Sequence, residues 1–306
     1  MGAARLGGDG ERSTRAARFE ITVGVLPNVP GPEEVVTAIA RAGYEATELG
    51  PPGYLGTGEE LRERLADAGL GLAGGFIPVR MSEPDHWEED LAAMARTLDL
   101  FEAAGGSEAH AILADDGSTE RLANPGRAAT DRALGLDEDG WRRLAEGVAR
   151  ASELAQKRGF DVSFHHHTGS YVEAPWEIER FLELTDVGIV LDTGHLALGG
   201  GDPTQALVSW RSRINHIHVK DLRLDILSGV IADRADMPEA WRRGIFCELG
   251  AGDVDLPAFF AALQQSGYSG WLVVEQDWVP GQNDDVNVAA DAQARNRRWL
   301  ADHTGL

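Results

Sequence analysis

Cysteine is nearly absent. The 306 residues contain one, Cys247, which excludes an intramolecular disulfide and any cysteine-rich zinc site and predicts a reducing, cytoplasmic setting. Basic residues are scarce as well: 28 Lys plus Arg stand against 50 Asp plus Glu, a net charge of −22. Such a surface repels a phosphate backbone, so nucleic acid is not an expected partner. No apolar run is long enough to cross a bilayer, which argues against a membrane partner. Neither G-x-G-x-x-G nor G-x-x-x-x-G-K-[ST] follows the first strand candidate, which weighs against a nucleotide-binding, doubly wound sheet. The first 18 residues, MGAARLGGDGERSTRAAR, lack the apolar centre of a secretory signal. They are expected to form a flexible tail, with 19–306 as one domain.

What the chain does contain is a regular alternation. Hydrophobic residues make up 43% of it, enough for a large core. Short apolar runs recur as FEITVGV, YEATEL, GLGLAGGF, EAHAILA, FDVSFHH, VGIVLD, INHIHVKD and GWLVVEQ. Most of the intervals carry apolar residues three and four apart, as in 32–42, 59–68, 87–104 and 138–158, the spacing of amphipathic helices. Eight strand candidates separated by helices predict a single-domain (β/α)8 TIM barrel, a fold of about 250 residues. Residues 286–300 read as a closing helix. Two connections are long: 114–136, polar and rich in Gly, Asp and Arg, and 222–254, which contains Pro238. The second shows only a brief helical signal around 239–243. Both follow strand candidates, so both are expected to hang over the barrel mouth as lids or binding loops.

Successive side chains on a strand point to opposite faces, so parity selects the lumen-facing residues. With Phe160, Val162 and Phe164 turned toward the helices, Ser163, His165 and His167 point inward, and His166 does not. By the same rule His216, His218 and Lys220 face in, as do Val273 and Glu275, while Asp192 shares the parity of Gly188 and Val190. Six of the nine histidines (His165, His166, His167, His195, His216 and His218) lie on or just after the fifth to seventh strand candidates. Carboxylates and imidazoles crowded at one rim repel or stay unpaired unless a cation compensates them. Mixed oxygen and nitrogen donors suit Mn2+, Co2+, Zn2+ or Mg2+ rather than a soft metal. The alternative is a salt-bridge network at the rim.

The segments FHHHTGSYVE, VLDTGHLALGGGDP, HIHVKD and GDVDLPAFF followed by SGYSGWLVVEQD resemble the xylose isomerase-like (sugar phosphate isomerase/epimerase) barrel superfamily. Within it they are most similar to the inosose dehydratase group, chiefly through the triple histidine. YEATELG, with Glu48, also fits. The resemblance implies one divalent ion, Mn2+ or Co2+ first, with Mg2+ or Zn2+ as alternatives. Asp192, His218 and Glu275 match three of its ligands. The fourth is usually a glutamate at the end of the fifth strand, a place that His165 occupies here. Glu173, eight residues on, is expected to replace it, because a carboxylate better suits an enediolate-forming metal.

His195 resembles a substrate-oriented histidine of the family. With the inward-facing His167, a proton-transfer candidate, and Lys220, which could bind a substrate hydroxyl, it makes up the candidate catalytic set. Glu48, His165 and His216 are the candidate contacts to a small polyhydroxylated keto substrate. Four of them have a plainer reading: His195 capping the next helix, Lys220 neutralising the carboxylates, His167 as a core hydrogen-bonding group, and Glu48 pairing with an arginine. Trp176, Trp210 and Trp299 read as packing residues. The implied chemistry is proton abstraction beside a metal-polarised carbonyl, giving an enediolate. Dehydration of a keto-inositol or related keto-sugar is the expected outcome, with isomerisation or epimerisation of a ketose as the alternative. A metal-dependent endonuclease on a related barrel and a non-enzymatic sugar-binding protein complete the readings. The sequence leaves homo-oligomerisation open.

Overall fold

A computed structural model describes residues 2–5, 16–17, 30–279 and 286–304. Its strands in chain order are β1 (Gly2–Arg5), β2 (Ala16–Ala17), β3 (Ala46–Glu48), β4 (Gly71–Val79), β5 (His110–Asp115), β6 (Asp161–His165), β7 (Gly188–Asp192), β8 (Ile214–Val219), β9 (Asp221–Leu222), β10 (Phe246–Cys247) and β11 (Trp271–Val274). One sheet runs in the order β2, β1, β11, β8, β7, β6, β5, β4, β3. The seven strands from β11 to β3 pair in parallel. Helix Pro32–Arg41 precedes β3, and helices Gly58–Ala68, Trp87–Ala103, Glu138–Lys157, Pro175–Leu184, Thr193–Leu198 with Pro203–Ser209, and Leu256–Gln265 lie in the successive connections. This is the curled parallel sheet of a single-domain TIM barrel. The first strand candidate, FEITVGV, lies outside the described residues. Within the segment expected as a tail, Gly2–Arg5 instead pairs antiparallel with β11 and with Ala16–Ala17.

The main core lies between the outer face of the sheet and the helices. Phe164, Ile189, Ile217 and Leu272, the outward parity of their strands, belong to it, packed with Phe101 and Phe181 from the helices. Inside the curl a smaller group, Ala46, Ala73, Trp271 and Val273, fills the lumen. The interior above it carries polar side chains, and the parallel register sets their heights. Asp192 lies beside His218, and His218 beside Val273. Glu275 follows directly after β11, its N–H bound to the Val219 carbonyl.

The 222–254 connection departs from a bare loop. It forms helices Leu224–Asp233 and Met237–Arg242, and β10 returns to pair antiparallel with β9. Leu227 and Val230, with Ile231, carry the helical spacing, but Gly229 and the lack of a capping side chain at Arg223 weaken the sequence signal. This cap has its own apolar centre of Leu222, Leu227, Val230, Met237 and Phe246, joined by Leu198. Asp221 anchors its root. Its Oδ1 accepts from the Leu222 and Val254 amides, and its Oδ2 from those of Gly250 and Gly252. The other long connection meets the cap through Arg127, which donates to the Val230 and Ala235 carbonyls. The closing helix is longer than expected, Val286–Thr304.

Candidate metal and active site

Four buried residues place donor atoms within 4.8 Å of one another: His165, Asp192, His218 and Glu275. His218 Nδ1 lies 3.0 Å from Glu275 Oε2, 3.1 Å from His165 Nε2 and 3.7 Å from Asp192 Oδ2. His165 Nε2 is also 3.7 Å from Asp192 Oδ2. The two oxygens of Asp192 have separate tasks. Oδ1 caps helix Thr193–Leu198 by accepting the His195 N–H at 2.8 Å, so Asp192, not His195, is the cap. Oδ2 is buried and, among the described residues, accepts no hydrogen bond, with Lys220 Nζ 3.8 Å away as the nearest lysine charge. An orphaned buried carboxylate oxygen costs free energy unless a cation sits against it.

The hydrogen bonds behind the two imidazoles define what they offer. His165 Nδ1 is 2.6 Å from the His166 carbonyl, which can only accept, so Nδ1 carries the proton and Nε2 faces the cluster as a lone pair. Burial, together with the imidazoles of His218, His167 and His166, holds His165 neutral, well below its ordinary pKa. For His218, burial opposes the charged form, but Glu48, Asp192 and Glu275 override it and raise the imidazolium well above the usual range. The cluster therefore calls for a positive charge at its centre, which a divalent ion supplies equally well. Two imidazole nitrogens and two carboxylates fit Mn2+, Co2+, Zn2+ or Mg2+ better than a soft ion.

Glu173, the expected fourth ligand, is not in this group. Its Oε1 accepts the Gly126 N–H at 3.0 Å and its Oε2 the Gly169 N–H at 2.8 Å. It thus ties the 114–136 loop to the loop after β6. Burial pushes its carboxyl up to about 7 against the pull of Arg121. His165 joins the group instead, since it ends β6 in register with Val190, which lies two residues before Asp192 on the neighbouring strand. His165 was expected at the substrate; the geometry puts it in the four-residue cluster that could hold an ion. Beside Glu173, Arg121 and Glu177 form a fully buried, two-pronged ion pair, both contacts at 2.9 Å.

Glu48 and His216 were also expected at the substrate, and they lie deeper. Glu48 Oε1 is 2.9 Å from His216 Nε2 and 3.0 Å from His218 Nε2, and all three residues are buried. Among the described residues the glutamate meets imidazoles. Burial resists its ionisation, but His218 and His216 hold it well below the ordinary carboxylate range.

The proton-transfer candidates border the cluster. Lys220 Nζ lies 2.8 Å from His195 Nε2, 2.9 Å from Asp277 Oδ2 and 3.2 Å from Glu275 Oε1. His195 is buried and kept neutral, well below its usual pKa, by burial and by His167 and Lys220. Its Nε2 accepts from Lys220, and its Nδ1 is 2.9 Å from Thr168 Oγ1. The Lys220 stem packs so closely on the first turn of helix Thr193–Leu198 that a Cβ at position 194 would lie 2.6 Å from Lys220 Cγ, which is why glycine follows Asp-Thr here. His167 lies against His195 with ring centroids 4.0 Å apart and ring planes tilted by 43°. It is half-buried, and its Nδ1–H donates to the Thr168 carbonyl.

Three neighbours escaped the sequence reading. Asp277 continues the inward parity of Val273 and Glu275, a signal that was legible. Phe246 covers Lys220 and His195 from the cap, 4.7 Å from Nζ and 5.3 Å between rings, and nothing local marks it. His166, outward by parity, receives the Asp192 amide on its Nε2 at 3.3 Å.

Comparison with known proteins bears out the fold. The chain matches the family described as Xylose isomerase-like TIM barrel over residues 36–303, and it belongs to that family. It is 33% identical over 258 residues to an inosose dehydratase of Geobacillus kaustophilus strain HTA426, covering 81% of this chain and 80% of that protein. It is 32% identical to the rhizopine catabolism protein MocC of Rhizobium meliloti, covering 84% and 78% respectively. Among solved structures, the IOLI protein with a bound zinc atom superposes with a TM-score of 0.69 at 14% identity, over 92% of this chain and 97% of that one.

Proposed function

We propose that the chain is a metal-dependent hydro-lyase that removes water from a keto-inositol or a closely related keto-sugar. His165, Asp192, His218 and Glu275 would hold the ion. The observation that carries the reading is the convergence of four buried donors on a space where, among the described residues, Asp192 Oδ2 accepts no hydrogen bond. Similarity to proteins named inosose dehydratase supports the choice of substrate class. We further propose Mn2+ or Co2+ as the working ion and the cytoplasm as the compartment, in keeping with the mixed donor set and the single buried cysteine.

When bound, the ion supplies a Lewis acid for the substrate carbonyl and neighbouring hydroxyl. The chain's own groups supply the rest. His167 is the most accessible imidazole beside the cluster. Because its Nδ1–H is committed to the Thr168 carbonyl, its basic atom is Nε2, which would take the proton next to the carbonyl. Lys220, braced by Glu275 and Asp277, would deliver a proton to the departing β-hydroxyl, with His195 Nε2 as its partner. The abstracted proton and the delivered one balance as the C–O bond breaks and water leaves. Phe246 and the cap above it exclude bulk water from that exchange.

The test is incubation of metal-loaded protein with a panel of inososes and ketoses, followed by NMR. Loss of water with a new dione or enol product is expected. Migration of the carbonyl or inversion at one carbon would move the reading to an isomerase or epimerase. Absence of turnover with every compound, together with binding unaffected by chelation, would overturn it.

A further inference from the structure

Glu48 sits on β3, and His216 and His218 sit on β8, strands that are not neighbours in the sheet. Their hydrogen bonds therefore cross the lumen beneath the donor cluster. A single carboxylate oxygen, Glu48 Oε1, lies at 2.9 and 3.0 Å from the Nε2 atoms of both histidines. An ionised carboxylate only accepts, so each of those nitrogens must carry a proton.

We infer that Glu48 is a positioning residue: by accepting Nε2–H of His218 it fixes the ring so that Nδ1, and not Nε2, is offered to the cation. The inference rests on the metal reading above. It makes His218 the mirror image of His165, whose Nδ1–H is held by the His166 carbonyl and whose Nε2 points inward. The two imidazole donors thus present opposite ring nitrogens, each locked from behind, one by a main-chain carbonyl and one by a side chain from across the barrel. His216 completes the brace by donating to the same Glu48 oxygen from one inward position below His218. Partners of this kind orient metal-binding imidazoles and raise their basicity, and their loss typically costs about 10–100-fold in metal affinity.

The experiment uses the full chain labelled with [15N]histidine and loaded with Zn2+, read by two-bond 1H–15N NMR, with zinc affinity and stoichiometry measured by chelator competition and elemental analysis. In the wild type two zinc-bound rings are expected, one through Nδ1 with its proton on Nε2 and one through Nε2 with its proton on Nδ1. In Glu48→Ala the zinc affinity is expected to fall about 10–100-fold, and the Nε2–H signal of the Nδ1-bound ring to exchange rapidly with water. Glu48→Gln keeps an acceptor oxygen without the charge and should restore part of the affinity. The wild-type tautomer readout stands even if a variant folds poorly.

Two zinc-bound rings of the same tautomer would overturn the inference alone. So would Glu48→Ala binding zinc as tightly as the wild type with unchanged ring signals. Two zinc ions per chain, with one ring bound through both nitrogens, would replace the brace by a bridging site. A wild type that binds no zinc would overturn the metal reading and this inference with it.

Discussion

Glu173 offers the sharpest separation between a cation ligand and a structural acid. Its two oxygens hold the Gly126 and Gly169 amides, and burial lifts its carboxyl from 4.5 to about 7. At about 1.36 kcal/mol per pH unit, that rise corresponds to about 3 kcal/mol. The sign follows from proton binding. Below pH 4.5 folded and unfolded chains are both protonated at this site and no penalty exists. As the pH rises, the unfolded chain releases its proton first, so the folded state binds more protons and stability falls. The loss is complete once the pH passes about 7.

In Glu173→Gln this contribution vanishes. Glutamine offers one acceptor where the carboxylate offered two, so one amide loses its partner and the whole curve drops by about 1–3 kcal/mol. The slope carries the test. Urea unfolding of the metal-free protein between pH 5 and pH 8 should show the wild type losing about 2–3 kcal/mol more than the variant across the window. The metal side of the same variant is equally specific: its ion stoichiometry and affinity should match the wild type. Parallel stability curves would refute the burial argument, and a variant that no longer binds the ion would return Glu173 to the ligand set.

Two further outcomes follow from the same geometry. Arg121→Met leaves Glu177 buried without its cation and should cost about 3–5 kcal/mol by urea unfolding; a loss under 1 kcal/mol would mean that the pair is nearly neutral. Asp192→Asn keeps the Oδ1 acceptor that caps helix Thr193–Leu198 but removes the charge at Oδ2. Folding by circular dichroism should persist, while ion affinity and turnover should each fall on the order of 100-fold or more.

Period and parity are local properties, and they were legible. The helices at 32–42, 59–68, 87–104 and 138–158 appear within a residue or two of those bounds, because amphipathic spacing needs only the chain's own order. Strand alternation likewise assigned His165, His216, His218, Lys220 and Glu275 to the lumen, and it would have found Asp277 had the count been carried two residues further. The helix Leu224–Asp233 was missed where Gly229 and an uncapped start blur its signal.

The sequence by itself determined that acids and imidazoles would gather at one end of a parallel barrel, since side-chain alternation and the strand-to-loop boundaries are written residue by residue. Which of them share a cation was decided only in three dimensions. Glu173 follows His165 by eight residues and has the better ligand chemistry on paper, but two amides from separate loops claim it. Glu48 meets His218 across 170 residues of chain. Strand order, register and curl bring such atoms together, and no pattern within a single strand contains that information.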